Sequence, residues 1–300
     1  MGFQPIAPCL LCPTTSNHMS EYPIPDDRFK ALPRSLQAKS KHMRLGNDVP
    51  ALIVHPDLDK RFLNPCPWVL WIHGRTVYKE LDPGRYNRWV RAGIGTVAID
   101  LPGHGERFVE GAHSPSQTVH NITQCLSEIP AILQSIIDLN IYDMNKSAIG
   151  GMSAGGMIAS RCLCNPHNFL GASIECTTGD LLGLYFPPSK SNPSKDALWR
   201  THHDQAEVEA IDTPTHLAGF KPIPLLAMHN KGDELIPHSI QSNFIQKLRS
   251  NYIIKNANPN LIDLVTYENT GSIQEHAGFG KFASEAKDLQ LEFLKNLFNI

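Results

Sequence analysis

Long hydrophobic runs are missing from this 300-residue chain. The clearest apolar run, Trp68–Ile72, falls far short of the roughly 20 residues that a membrane helix needs. A basic excess is missing too, since 27 Lys and Arg face 29 Asp and Glu for a net charge of −2. Nothing here offers a phosphate backbone an electrostatic footprint, which argues against a nucleic-acid partner. The composition, with 41% apolar and 19% charged residues, excludes a disordered tail, a collagen-like fibre and a coiled coil. There is no internal repeat and no low-complexity tract. The opening MGFQPIAPCLLCP lacks a basic segment ahead of its apolar residues and is broken by prolines, so it does not read as a secretory signal. Ile6 stands where a myristoylation motif wants Ser or Thr. The expected location is cytoplasmic, with no membrane partner.

Cysteine is present in an odd number, seven, and without a framework spacing. Cys66, Cys125, Cys162, Cys164 and Cys176 sit in apolar surroundings and are expected to act as small core residues. Cys9 and Cys12 form a lone C-x-x-C with no second pair at zinc-finger spacing, which favours plain thiols over a metal or redox site. His202 and His203 are adjacent, so on a helix they cannot face one metal together. No metal and no cofactor is expected.

What is present is alternation of strand and helix patterns. Residues 1 to about 40 are rich in Pro, Ser and charge and read as an N-terminal arm; residues 41–300 read as one α/β domain. Strands are expected at Ala51–His55, Pro67–His73, Gly95–Asp100, Lys146–Gly150, Ala172–Cys176, Pro224–His229 and Leu261–Tyr267. Several are apolar throughout, as in parallel sheets covered on both faces. Between Ser116 and Asn140, Val119, Ile122, Leu126, Ile129, Leu133, Ile136 and Ile137 recur at helical spacing. The same pattern fills Phe282–Phe298, and helices are also expected from Pro237 to about Tyr252, from Gly156 to about Cys164, and around Asp196–Ala210. The stretch 177–222 is too long for a simple crossover, because such loops run roughly two to six residues. It reads as a lid or cap above the sheet, with Tyr185 and Phe186 as candidate substrate contacts; the alternative is a decorative excursion.

Chemistry concentrates in Gly151-Met152-Ser153-Ala154-Gly155, a G-x-S-x-G pentapeptide between a strand and a helix. A serine on such a turn projects its hydroxyl from the sheet, at the start of a helix whose free N–H groups face developing negative charge. A hydroxyl needs a positioned base. His276, in Glu275-His276-Ala277-Gly278, follows the last strand, and Asp233, in Gly232-Asp233-Glu234-Leu235-Ile236-Pro237, follows the strand before it. All three lie past the C-terminal ends of strands, where open α/β sheets place their sites. Asp180, after the strand expected at Ala172–Cys176, is the rival acid; the Gly-Asp…Pro context favours Asp233. His73, Asp100 and His104 read as loop braces.

These features resemble the α/β-hydrolase superfamily, in a form similar to dienelactone-hydrolase-like and prolyl-oligopeptidase-like esterases. The resemblance covers roughly Lys41 to Ile300 and rests on Trp71-Ile72-His73-Gly74, on Ile99-Asp100-Leu101-Pro102-Gly103-His104-Gly105, on the Ser153 turn and on the Asp233 and His276 segments. It implies a mostly parallel twisted sheet flanked by helices. It also implies an oxyanion hole made of the backbone N–H groups of Ala154 and Arg75, although Arg75-Thr76 stands where lipases carry further glycines. Dienelactone hydrolases proper use cysteine; here the position is Ser153, which points to ordinary ester chemistry. The Arg75 side chain has two readings, a partner for a substrate carboxylate or a structural arginine. Tyr78, Arg85, Tyr86 and Trp89 either line the same rim or cover the sheet with the first crossover helix.

The expected function is a serine hydrolase cleaving a small-molecule carboxylic ester through an acyl-enzyme. Rival readings are a small-peptide hydrolase, an acyltransferase or thioesterase on the same three residues, and a ligand-binding module on a retired scaffold. Prolyl oligopeptidases usually carry a large propeller, which about 40 residues ahead of the fold would not build.

Overall fold

The computed structural model describes residues 26–61, 63–187 and 198–300. Its strands are β1 (Ser40–Leu45), β2 (Val49–Val54), β3 (Cys66–Ile72), β4 (Gly95–Ile99), β5 (Tyr142–Met152), β6 (Gly171–Glu175), β7 (Leu225–Asn230) and β8 (Ile262–Tyr267). They form one eight-stranded sheet in the order β1-β2-β4-β3-β5-β6-β7-β8. β2 pairs antiparallel with both β1 and β4, and every other pairing is parallel. The helices are α1 (Asp26–Lys30), α2 (Arg34–Gln37), α3 (Pro83–Arg91), α4 (Thr118–Leu139), α5 (Ala154–Cys162), α6 (Leu181–Tyr185), α7 (Gln205–Ile211), α8 (His238–Ile254) and α9 (Ala283–Phe298). Among the described residues no helix is long and apolar enough to cross a membrane.

The apolar strands face two cores. Along β3, Trp68, Leu70 and Ile72 join one cluster with α4, α5 and α8, while Val69 and Trp71 join another with α3 and α9. Alternate side chains of a strand point to opposite faces, so a run with no polar residue must be covered twice. Each large side chain buried this way stabilises the fold by roughly 1.5–3 kcal/mol. In α4 the buried stripe is Val119, Ile122, Cys125, Ile129, Ile132 and Ile136. Ile137, expected on that stripe, is exposed, because one residue further along a helix turns the side chain by about 100°. Asn140 ends α4 in the left-handed region at φ 51°, a conformation asparagine tolerates.

Three sequence expectations change. β1 was not expected; its Ser-Lys-His-Met-Arg-Leu sequence is polar because this edge strand is only partly covered. The helix expected around Asp196–Ala210 begins outside the described residues, and from Leu198 on it is a 3-10 turn at Leu198–Arg200 followed by α7. α7 starts only at Gln205 because the Asp204 carboxylate caps it, accepting from Ala206 N at 2.8 Å and Glu207 N at 3.3 Å. The helix expected from Gly156 begins at Ala154, immediately after Ser153. Within the expected arm, Leu32 and Leu36 are buried against the α3 side of the sheet. Cys9 and Cys12 lie outside the described residues. The other five cysteines are free and buried, and burial pushes the Cys66 and Cys162 thiols up to about 12.

Candidate active site

Ser153 sits between β5 and α5 with φ 52° and ψ −121°. A non-glycine residue at positive φ is strained and persists only where its surroundings fix it. Here the Ser153 N–H donates to the Glu175 carbonyl at 2.9 Å, and the Ser153 carbonyl accepts from Thr177 Oγ1 at 2.7 Å and Met157 N at 3.0 Å. The pentapeptide's second glycine has a packing reason: a Cβ on Gly155 would collide with the Ile72 and His73 carbonyls at the end of β3.

The structure brings Ser153, His276 and Asp233 together. His276 Nε2 lies 2.9 Å from Ser153 Oγ, and His276 Nδ1 lies 2.8 Å from Asp233 Oδ2. A carboxylate oxygen accepts, so Nδ1 carries the proton and Nε2 is left to receive one from the serine. The other Asp233 oxygen accepts from Leu235 N at 2.9 Å and Ile236 N at 2.8 Å, which fixes the carboxylate in its own turn. His229 Nε2 donates to the Ile236 carbonyl at 2.9 Å and lies 3.5 Å from Asp233 Oδ2. Burial pushes the His229 ring down to about 4, so it stays neutral beside the acid. The rival acid is elsewhere: Asp180 caps α6 through Gly183 N at 3.1 Å and pairs with Lys247.

On the other side of the serine the chain passes close. A Cβ on Gly74 would stand 3.3 Å from both Ser153 Cβ and the Met152 carbonyl. Arg75 follows Gly74, and Ala154 opens α5, where the first N–H groups have no intrahelical acceptor. Arg75 and Ala154 both line a small recess closed by Leu101, Ile122 and Ile158. The Arg75 guanidinium donates through Nη1 to the His113 carbonyl at 2.7 Å. Tyr185 and Phe186 are not among the residues lining this recess: Tyr185 is buried against the His203 ring, and Phe186 is exposed.

Of the braces expected at His73, Asp100 and His104, Asp100 and the neighbouring His73 belong to a larger buried ion network, while His104 donates through Nδ1 to the Pro102 carbonyl of its own loop at 2.7 Å. Lys79 is fully buried, with Nζ 2.9 Å from both Asp100 Oδ2 and Glu80 Oε1, and it also pairs with Glu106. Asp100 accepts from Lys79 N at 2.9 Å and Glu106 N at 3.0 Å, which ties the loop after β3 to the loop after β4. Burial opposes the Asp100 charge, but His73, Lys79 and the Glu106 N–H outweigh it and hold its carboxyl well below the ordinary range. His42 joins through Glu80 at 2.8 Å and Arg44 through Glu106 at 3.0 Å. His42, Glu80 and Glu106 place ligand-type atoms within 4.8 Å of one another, and the Lys79 ammonium supplies positive charge to that group. Sequence reading missed this network, since its members are scattered over two loops and a strand. Arg85, Tyr86 and Trp89 are buried and cover the sheet. Arg85 lies over the Trp71 ring at 4.0 Å and grips Glu175, the residue whose carbonyl holds Ser153 N, through Nη2 at 2.8 Å.

The sequence profile of the prolyl oligopeptidase family matches residues 85–300. The chain belongs to the prolyl oligopeptidase family. It is a serine hydrolase of that family. Esterase YjfP of Escherichia coli is 25% identical over 198 residues, 63% of this chain and 77% of that protein. Among solved structures, TT1662 from Thermus thermophilus superposes with a TM-score of 0.64 at 18% identity, over 87% of this chain and 99% of that one. A puromycin-hydrolyzing peptidase of Mycobacterium tuberculosis gives 0.66 at 15% identity, over 89% of this chain and 40% of that one. Acylaminoacyl peptidase of Pyrococcus horikoshii gives 0.65 at 14%, over 86% and 42%. The chain thus spans about two fifths of those two peptidases, and these likenesses concern the fold.

Proposed function

We propose that this family member hydrolyses small carboxylic esters through an acyl-enzyme on Ser153. The observation that carries the reading is the hydrogen-bonded line from Ser153 Oγ through the His276 ring to Asp233, at 2.9 and 2.8 Å. Ser153 Oγ attacks the acyl carbon as His276 Nε2 takes its proton. The oxyanion forms against the backbone N–H groups of Ala154 and Arg75. His276 then protonates the leaving alcohol, Asp233 stabilises the imidazolium, and water repeats the sequence on the acyl-enzyme. Each step uses protein groups and water, with no metal or organic cofactor. Ester chemistry is favoured by the resemblance to Esterase YjfP. The small recess beside Ala154, lined by Leu101, Ile122 and Ile158 together with polar side chains, favours a short acyl group. Arg75, Tyr185 and Phe186 stay candidate contacts for the rest of the substrate. Family membership keeps hydrolysis of a small peptide or aminoacyl amide as the second reading.

The test is fluorophosphonate labelling followed by intact mass, on the wild type and on Ser153→Ala, then an ester panel of rising acyl length beside aminoacyl amides. A single adduct absent from S153A, with acetyl and propionyl esters turned over fastest, is the expected result. Faster turnover of the amides would replace the ester reading by the peptidase one, and a wild type without adduct would refute Ser153 as an activated nucleophile.

A further inference from the structure

We infer that Asn230 is a positioning residue for His276, an inference that rests on the reading of His276 as the general base. Asn230 ends β7 and is fully buried. Its Nδ2 donates to the Glu275 carbonyl at 2.6 Å and to the Gly278 carbonyl at 2.8 Å. Both partners are carbonyl oxygens, which only accept, so the amide must turn its NH2 group toward them. The two acceptors bracket His276, one residue before it and two residues after it. One side chain therefore grips the base loop on both sides of the imidazole.

The loop needs such a grip. Gln274 and Glu275 both lie at positive φ, 54° and 47°. Consecutive left-handed residues carrying a Cβ do not hold that shape unaided. Three sets of contacts impose it. Asn230 holds the carbonyls. The Glu275 carboxylate accepts from Thr270 N at 2.8 Å, Thr270 Oγ1 at 2.8 Å and Gly271 N at 2.7 Å, and these N–H and O–H donors hold its carboxyl below the ordinary range. Glu234 N, from the acid's own turn, donates to the Gln274 carbonyl at 3.1 Å. Asn230 and Asp233 leave the same strand end three residues apart, so the clamp on the base loop and the acid that the base must meet share one support. Asn230 sets the 2.8 Å contact between His276 Nδ1 and Asp233 without touching the reacting atoms.

Two substitutions separate this role from general stability. Asn230→Ala deletes both donors. Asn230→Asp keeps the shape but sets a carboxylate oxygen against two carbonyls. Both are expected to lower kcat on an activated ester by about 10–100-fold with KM within about twofold, the signature of a misplaced catalytic group. In a His276→Ala background neither should lower the residual rate further, because no base is left to misplace. Should N230A not fold, as judged by a missing cooperative melting transition, Asn230→Ser retains one donor and carries the same comparison. Wild-type kcat in both variants, or an equal loss in the two backgrounds, would overturn the positioning role. If H276A alone keeps wild-type activity, the base assignment falls and this inference with it, and that outcome is read in the single variant before the pair is compared.

Discussion

The His73 ring donates through Nδ1 to the Gly74 carbonyl at 2.7 Å, and its Nε2 accepts from Leu101 N at 3.1 Å. In a planar trans peptide the carbonyl and the following N–H point opposite ways. Fixing the Gly74 oxygen therefore fixes the direction of the Arg75 N–H, one of the two proposed oxyanion donors. The ring is itself held from the β4 side, because the Leu101 N–H that Nε2 accepts belongs to the residue directly after Asp100. The brace and the donor are thus one device, anchored in the Lys79 network.

His73→Phe keeps the bulk and removes both bonds. Loss of a full oxyanion donor costs about 2.7–4 kcal/mol, so kcat should fall by up to about 10²–10³-fold. KM should change little, because the oxyanion exists only on the way through the transition state. Steady-state kinetics on one short-chain ester checks this. A raised KM at intact kcat would move His73 from transition-state support to substrate binding.

Asp233→Asn preserves the shape and the acceptor for Leu235 and Ile236, but turns an NH2 group toward His276 Nδ1. The imidazole must then carry its proton on Nε2, facing Ser153, where it can no longer accept one. In Ser-His-Asp hydrolases that wrong tautomer costs about 10⁴-fold in kcat. Turnover of an activated ester by D233N, set beside Asp180→Asn, decides between the two acids. The Asp180 variant should stay near wild type in rate.

Gly155→Ala should be among the most damaging conservative changes in the chain. The added methyl meets backbone carbonyls of Ile72 and His73 rather than a movable side-chain end. Overpacking of this kind costs about 1–3 kcal/mol or more, and the strand end that shifts carries Gly74. Urea unfolding should give a lower midpoint, and labelling of Ser153 should slow in the folded fraction.

Much of this site is legible in the sequence because local chemistry dictates it. A serine flanked by glycines between a strand and a helix has few other structural uses, and the apolar parts of β3, β5 and β7 read plainly as strands at Pro67–His73, Lys146–Gly150 and Pro224–His229, although β5 starts earlier, at Tyr142. Asp233 and His276 follow from chain order and turn residues. What escaped has a non-local origin. β1 is defined by pairing with β2 and not by its own pattern. Lys79 is buried only because Asp100 and Glu106, from the loop after β4, join its neighbour Glu80 around it. Asn230 looks like one more polar residue at a strand end until the carbonyls of Glu275 and Gly278 stand around it.

Stability should fall as pH drops below neutrality, first through buried histidines. Burial pushes the rings of His104 and His229 down to about 4 in the folded chain, while an unfolded histidine takes its proton near pH 6.5. Between those values the unfolded chain binds more protons than the folded one, so lowering the pH favours unfolding. The contribution is complete above about pH 6.5 and is lost by about pH 4, on the order of 3 kcal/mol for each ring. His55, His113, His167, His203 and His238 are lowered by burial as well and act in the same direction. Below about pH 4 a second loss begins. There the unfolded chain takes up protons that Asp100 and Glu80 refuse in the fold: burial opposes their charges, but His73 and Lys79 hold Asp100, and His42 and Lys79 hold Glu80, below the ordinary range. Glu175, raised by burial beside Arg85, works the other way and softens the slope. Urea midpoints measured from pH 8 to pH 4 should hold level and then decline from about pH 6.5. His229→Gln keeps a donor for the Ile236 carbonyl, removes one titrating ring, and should flatten part of that decline. A midpoint that stays level from pH 7 to pH 5, or an unchanged slope in H229Q, would mean that these rings carry their protons inside the folded protein.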